Sequence, residues 1–391
     1  MQIIIHRGTH QIGGVATEVR TGKARILIDM GDELGADDDF IPAPLSIPGV
    51  TDATGKCDAV LFTHNHGDHI GQLKNIRRDI PIYLGEFSKD VLLFTLSQTD
   101  IELKSRLEQA NTFTPGAQFN IGDICVTPFS VDHSACGSYM FLLEAEGKRI
   151  LHTGDFRLHG FRGKAIPKIL DKLVGKVDVL ITEGTTLSRT DTKPVTEQEL
   201  QRKAQEYLEK YKYVFVLCAT TNLERICALS KAVPRGKYFV CDEYQNSLLD
   251  LMEQHWGNYS PLYRKIKRTT YGDNLIPDLR TKGFLMMVRD NRKFREIIRK
   301  FDKAQSIILY SMWDGYRTKP GSTISDFLNL AERWESLHTS GHASVSDIQF
   351  VIEKANPDTI IPIHTDNPDY LQMLCPKRTV HILDDGTIFE F

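Results

Sequence analysis

The stretch Thr63-His64-Asn65-His66-Gly67-Asp68-His69 places four side chains able to ligate a metal within six residues, directly behind an apolar run. No other feature of the chain restricts its fold as much. The run from Asp58 to Thr63 is short and β-favouring, which predicts a buried strand that stops where the polar residues begin. The four side chains then sit at the C-terminal mouth of that strand. His64 and His66 are two apart in near-extended chain and point the same way, whereas Asp68 and His69 follow a turn at Gly67 and face a second position. That spacing suits two metal ions. Imidazole and carboxylate at this density are rarely a solvated loop.

A chain of 391 residues has room for two or three domains. Its net charge of -3 supplies no global field that would draw it to nucleic acid, so a polyanion would have to be held by a local basic patch or by metals. The seven cysteines form no C-x-x-C pair, and several lie in apolar stretches, as reduced core residues of a cytoplasmic protein do. The first residues lack the pattern of a signal peptide and no apolar run approaches the roughly 18 residues of a membrane span. A cytoplasmic location with no membrane role is expected.

Residues 2 to about 30 read as a three-stranded meander ending in Asp29, a carboxylate placed to hydrogen-bond a metal-bound histidine. Residues 32 to 56, with Asp37, Asp38, Asp39 and three prolines, read as a long loop bordering the site. A short helix is expected from Ile70 to Arg78, a strand at Pro81 to Leu84, and one long helix from Phe87 to about Leu107. His133 follows a further strand, the hairpin ending at His152 leads into Thr153-Gly154-Asp155, and Val177 to Thr182 delivers Glu183. Singly each is a weak signal; together they are strand ends converging on one multi-ligand site. From about 191 the pattern turns to regular αβ units, opened by a capping box at Thr196 and Glu199, with strands at Val214, Lys237, Phe284 and Ser306 predicting a parallel sheet flanked by helices. The ligand theme resumes with His338, His342 and the strand Thr359 to Ile363 ending in His364, so the αβ segment is an insertion.

The H-x-H-x-D-H stretch, His133 and Thr153-Gly154-Asp155 together resemble the metallo-β-lactamase superfamily. Thr182-Glu183-Gly184-Thr185, Ser340-Gly341-His342-Ala343 and Pro362-Ile363-His364 resemble the extra motifs of its β-CASP branch, in particular RNase J-like nucleases. The resemblance implies an α/β fold: an αββα sandwich built from residues 1–190 and 336–391, with a β-CASP domain inserted at 191–335. It also implies that His64, His66 and His133 hold one ion, that Asp68, His69 and His364 hold a second, and that Asp155 bridges them. Two Zn²⁺ ions suit this set, with Mn²⁺ an alternative. Glu183 stands where many relatives have Asp, and 27 residues follow His364, so no separate C-terminal domain of the RNase J kind is expected.

The expected activity is metal-dependent hydrolysis of single-stranded RNA, favoured by His364, which DNA-cutting relatives of the Artemis type lack. A DNA nuclease and a small-molecule ester or thioester hydrolase are the alternatives. Asp68, His342 and Glu183 are the expected catalytic residues, His342 as acid or charge stabiliser oriented by Glu183, and Asp68 as acceptor of the water proton. His338 is expected to contact the metal-holding residues or to be structural. Arg157, Thr220, Thr221 and Asn222 are candidate phosphate contacts, the last three at a helix start. The basic run from Arg264 to Lys300 is a candidate anchor for RNA. Oligomeric state is not readable from the sequence.

Overall fold

Burial alternates along the first strands as a half-buried sheet requires: Ile3, Ile5, Val19, Ile26 and Ile28 enter one core, while Leu27, Val60 and Phe62 enter another on the opposite face. The structure, a computed structural model, describes residues 1–35, 40–96, 100–189 and 194–391. Its first seven-stranded sheet runs in the order Ile388–Glu390, Gln2–Arg7, Ala16–Arg20, Arg25–Ile28, Ala59–Leu61, Ile82–Gly85, Asn111–Phe113. A second seven-stranded sheet runs Thr379–Val380, Thr359–Ile363, Val179–Glu183, Lys148–His152, Ser138–Ala145, Ile124–Val131, Phe119–Ile121.

The two sheets share the core that joins Ile3, Ile26 and Leu61 to Val126, Phe141, Ile181 and Ile361. Helices cover both outer faces. Leu73, Leu92 and Leu107 pack on the first sheet, and Ile166, Leu170, Ile348 and Val351 on the second. This is the αββα sandwich. A third sheet of six strands, all parallel, is ordered Thr269–Thr270, Tyr238–Cys241, Phe284–Val288, Tyr213–Leu217, Ser306–Tyr310, Arg333–Ser336. Its central strands are buried on both faces, Val214 and Val216 on one and Phe215 and Leu217 on the other, which is why they read as continuous apolar runs. The helix Glu86–Leu96 of the sandwich contributes Phe87 and Val91 to the core of this third sheet.

Three local expectations need correction. The chain from Ile70 to Arg78 is not one helix but a turn of helix at Gly67–Ile70 and a 3₁₀ turn at Leu73–Asn75. A side chain at Gly71 would collide with Asp32, and the close approach that glycine permits comes with the break. The long helix expected from Phe87 is two, Glu86–Leu96 and Ile101–Glu108, the second capped by Asp100. The residues between them at 97–99, the acidic Asp37 to Asp39 of the long loop, and the expected domain boundary at 190/191 lie outside the described residues. The sequence reading also missed the edge strand Arg333–Ser336, whose residues are all exposed and carry no alternation. No helix among the described residues is long and apolar enough to cross a membrane.

Candidate metal centre

Every strand that ends at this site delivers a donor from its C-terminal mouth. The strand Ala59–Leu61 leads to His64, His66, Asp68 and His69; Ile124–Val131 to His133; Lys148–His152 to Asp155; Val179–Glu183 ends in Glu183; and Thr359–Ile363 leads to His364. The structure brings all seven residues expected to hold metal together. His66 Nδ1 lies 3.2 Å from His64 Nε2 and 3.2 Å from His133 Nε2. On the other side His364 Nε2 lies 3.1 Å from Asp68 Oδ2, and His69 Nε2 lies 4.0 Å from it. Asp155 Oδ2 sits between the halves, 3.7 Å from both His64 and His133 Nε2, 3.1 Å from His69 Nε2 and 3.8 Å from His364 Nε2.

In three of the rings the outer nitrogen is fixed by a partner. His133 Nδ1 donates to the Gly341 carbonyl at 2.6 Å, His69 Nδ1 to Asp29 Oδ2 at 2.8 Å, and His364 Nδ1 pairs with Thr185 Oγ1 at 2.8 Å. Asp29 is held in turn by the Thr63 amide and hydroxyl, each donating at 2.7 Å. Such partners settle which ring nitrogen keeps its lone pair for the centre. Asp29 and His364 both adopt the left-handed backbone, with φ of 60° and 54°. Both are bent off a strand end toward the site, a conformation that costs free energy and clusters at functional positions.

The electrostatics suit a cation. Burial, reinforced by neighbouring imidazoles, holds the His64 and His133 rings well below the ordinary histidine range, and burial lowers His66 too. These rings stay neutral and keep lone pairs. Burial resists ionisation of Asp155 and Asp68, but the surrounding imidazoles outweigh it and hold both carboxyls below the usual range. Asp155 Oδ2 and His69 Nε2 lie buried 3.1 Å apart; burial disfavours the charged His69 ring, but Asp155, Asp29 and Asp68 outweigh it and raise its pKa well above the ordinary histidine range. Neutral nitrogens aimed at one another and an orphaned carboxylate oxygen among them are what a nitrogen- and oxygen-ligated metal would satisfy, so these residues fit one.

His342 lies at the rim. Its Nδ1 is 3.1 Å from Glu183 Oε2, 3.2 Å from Thr185 Oγ1 and 3.5 Å from Asp155 Oδ2. Burial disfavours its charged form, yet Glu183 and then Asp155 overcome that and raise its pKa. Glu183 is itself pinned by the amides of Phe156 and Ala343. Thr185, which touches both His342 and His364, was given no role from the sequence, although it closes the Thr182-Glu183-Gly184-Thr185 motif.

One expectation beside this site is overturned and another is narrowed to its structural alternative. Arg157 is fully buried and reaches no open face: its guanidinium pairs with Asp132 at 2.7 Å and Glu197 at 2.8 Å and donates to the Ser340 carbonyl. It therefore cannot be a phosphate contact. His338 does not touch the donor set; Arg225 donates to its Nδ1 at 3.3 Å, and burial and that guanidinium push its pKa down to about 3. Both belong to a buried network in which Arg225 binds Glu197, Ser311 and the Thr339 carbonyl, and Arg162 binds Glu224. Thr220 and Thr221 are half-buried and Asn222 is buried at the start of helix Leu223–Ala232, its Oδ1 unpartnered. Much of the basic run is engaged: Arg268 with Asp250 and Glu253, Arg289 with Asp242, Arg295 with Asp290, and Lys300 with Asp273.

Residues 24–210 match the model of a β-lactamase superfamily domain, and residues 329–380 that of a Zn-dependent metallo-hydrolase RNA specificity domain. The chain thus carries a domain of the β-lactamase superfamily followed by a metallo-hydrolase RNA specificity domain, and the relatives it is similar to include RNase J proteins. It is 29% identical over 215 residues to an "RNase J-like protein" of Methanocaldococcus jannaschii, covering 52% of this chain and 48% of that one. It is 21% identical to a "Ribonuclease J" of Helicobacter pylori, covering 98% of this chain and 59% of that one. The chain thus spans about half to three-fifths of the length of these relatives. A crystal structure of a protein of unknown function from Enterococcus faecalis V583 has the same fold, with a TM-score of 0.79 at 20% identity over 99% of both chains.

Proposed function

We propose that this chain is a metal-dependent phosphodiester hydrolase that cuts single-stranded RNA. The observation that carries the reading is Asp155 Oδ2, unpartnered and buried between one triad of donors, His64, His66 and His133, and another, Asp68, His69 and His364. That arrangement matches a dinuclear centre, for which two Zn²⁺ ions are the proposal. Zinc bound there supplies Lewis acidity, which brings the pKa of water from 15.7 toward about 7 and offsets negative charge growing on a phosphate under attack.

The chain's own residues do the rest. Asp68, at the edge of the second triad, is placed to accept the proton of an attacking water. His342 holds its Nδ1 on Glu183, so Nε2, with no hydrogen-bond partner among the described residues, is the atom free to meet substrate. Because burial is outweighed by Glu183 and Asp155, which raise its pKa, His342 is placed to give a proton to the leaving oxygen. Glu183 is the positioning residue in this pair. Thr220, Thr221 and Asn222 remain proposed phosphate contacts, and with the chain divided into 1–190, 191–335 and 336–391 the insertion is proposed as the second wall of a cleft. Names of the relatives and the RNA specificity domain favour RNA over DNA as the polymer.

The test is incubation with 5′-labelled single-stranded RNA, single-stranded DNA and a thioester, each with and without chelator. Cleavage of RNA that stops on chelation and returns with zinc is expected; turnover of the thioester alone would overturn the reading.

A further inference from the structure

Three groups that neither the metal centre nor the buried network uses lie together beside the segment that carries Glu183 and Thr185. Trp313 is 51% exposed and Tyr316 48% exposed, two of the few large aromatic rings so open to solvent. Their ring centroids are 5.5 Å apart and the planes stand at 83°. Both belong to the loop that leaves the parallel strand Ser306–Tyr310 at its C-terminal end, the end where open parallel sheets present ligands. The loop is anchored: Tyr310 donates its hydroxyl to the Trp313 carbonyl at 2.8 Å, and Ser311 shares Arg225 with Thr339, three residues before His342.

From the opposite side comes Arg189, an exposed residue of the segment that carries Glu183 and Thr185. Its guanidinium lies 5.8 Å from the Trp313 ring centroid. The same segment is tied to the catalytic loop by Thr186, whose hydroxyl donates to the Ala343 carbonyl at 2.7 Å. Two open rings and an arginine thus stand together, the arginine four residues along the chain from Thr185, which touches His342 and His364.

We propose that Trp313 and Tyr316, with Arg189 facing them, form a stacking platform for a nucleobase of the single-stranded substrate, adjacent to the phosphate being cut. A flat ring presents a π-face that any base can cover, and a guanidinium stacks on bases and pairs with phosphate. The platform would therefore bind bases with little sequence preference. It would also exclude a duplex, whose bases are already stacked on one another. The proposal rests on the nuclease reading, and the experiment separates the two.

Steady-state cleavage of labelled single-stranded RNA is measured for the wild type, Trp313→Ala, Tyr316→Ala, Trp313→Phe and, as a control on the exposed edge strand, Trp334→Ala. Trp313→Ala should raise KM about tenfold to a hundredfold, the loss expected of one stacked base, with the change carried by KM more than by kcat. Trp313→Phe should restore most of it and Trp334→Ala should change neither constant. An RNA series with one abasic nucleotide moved along the strand should contain a position that weakens the wild type to the level of Trp313→Ala and leaves that variant unaffected. An unchanged KM in the Trp313→Ala/Tyr316→Ala double variant, or no position at which base removal and Trp313→Ala fail to add, would overturn the platform. A wild type that cuts no RNA would sink the nuclease reading instead. Quenching of Trp313 fluorescence by added RNA would then still decide the platform, its absence overturning it.

Discussion

Two buried polar clusters lie under the same short loop, and they are built on opposite plans. Gly341 offers its carbonyl to His133 of the metal centre, while Ser340, one residue earlier, offers its carbonyl to Arg157 of the ionic network. In the network Asp132, Glu197 and Glu224 face Arg157, Arg162 and Arg225, and each guanidinium has a carboxylate within 2.6–2.8 Å. Its few unpartnered atoms belong to groups whose other atoms are paired. In the candidate metal centre the neutral rings of His64, His66 and His133 point lone pairs at one another, and two further donors, His69 and His364, crowd around Asp155 Oδ2. A buried cluster that balances its own charge joins parts of a fold, because leaving any member unpaired is costly. A buried cluster that does not close on itself waits for charge from outside. The same residue types, at the same depth, thus separate into a clasp and a ligand site by what they leave unsatisfied.

His342 sits between the two and gives the largest effect. His342→Ala should slow RNA cleavage by about 10²–10⁴-fold, as for other general acid–base groups, with metal content unchanged. Loss of metal in that variant would move His342 into the donor set and blur the contrast. Next comes the clasp. Arg157→Met strands Asp132 and half of Glu197's pairing in the interior and should cost about 3–5 kcal/mol of stability by denaturant unfolding, yet leave zinc stoichiometry intact in the folded fraction. If that variant is as stable as the wild type, the network is not a clasp. Smaller still, Asp29→Asn keeps the shape but weakens the acceptor behind His69, and should lower metal affinity by about 10–100-fold in a competition titration.

A further effect, on stability, is set by pH. Burial opposes ionisation of Glu197, but Arg225 and Arg157 overcome it and bring its pKa to about 2. A depressed carboxyl pKa stabilises the fold fully above its unfolded value, near 4.5, and that stability is lost as pH falls from there toward about 2. Thermal unfolding followed from pH 6 downward should show this decline in the wild type and a shallower one in Glu197→Gln. Equal slopes would remove Glu197 from the clasp.

The contrast also explains what could be read from the residues in advance. Metal-binding side chains crowd the mouths of apolar strands, and strand ends are visible in a sequence, so His64, His66, Asp68, His69, His133, Asp155 and His364 could be gathered before any coordinates. The Glu183–His342 pair, 159 residues apart, followed from the resemblance rather than from spacing. The clasp was illegible. Arg157 looks like a surface cation beside Asp155, and nothing local reveals that Glu197, 40 residues on at the start of the first inserted helix, will bury it. Likewise the basic run between Arg264 and Lys300 has acids that only the fold brings alongside. Charges are read correctly from a sequence when their partners are near in the chain, and misread when tertiary packing supplies the partners.

The central claim is that the unclosed cluster is a two-cation site divided by Asp155. Elemental analysis of purified protein after zinc loading and gel filtration tests it most directly, on the wild type and on His133→Ala and His364→Ala. The account predicts two zinc ions per chain in the wild type and one in each variant. Fewer than one ion per folded wild-type chain would contradict it.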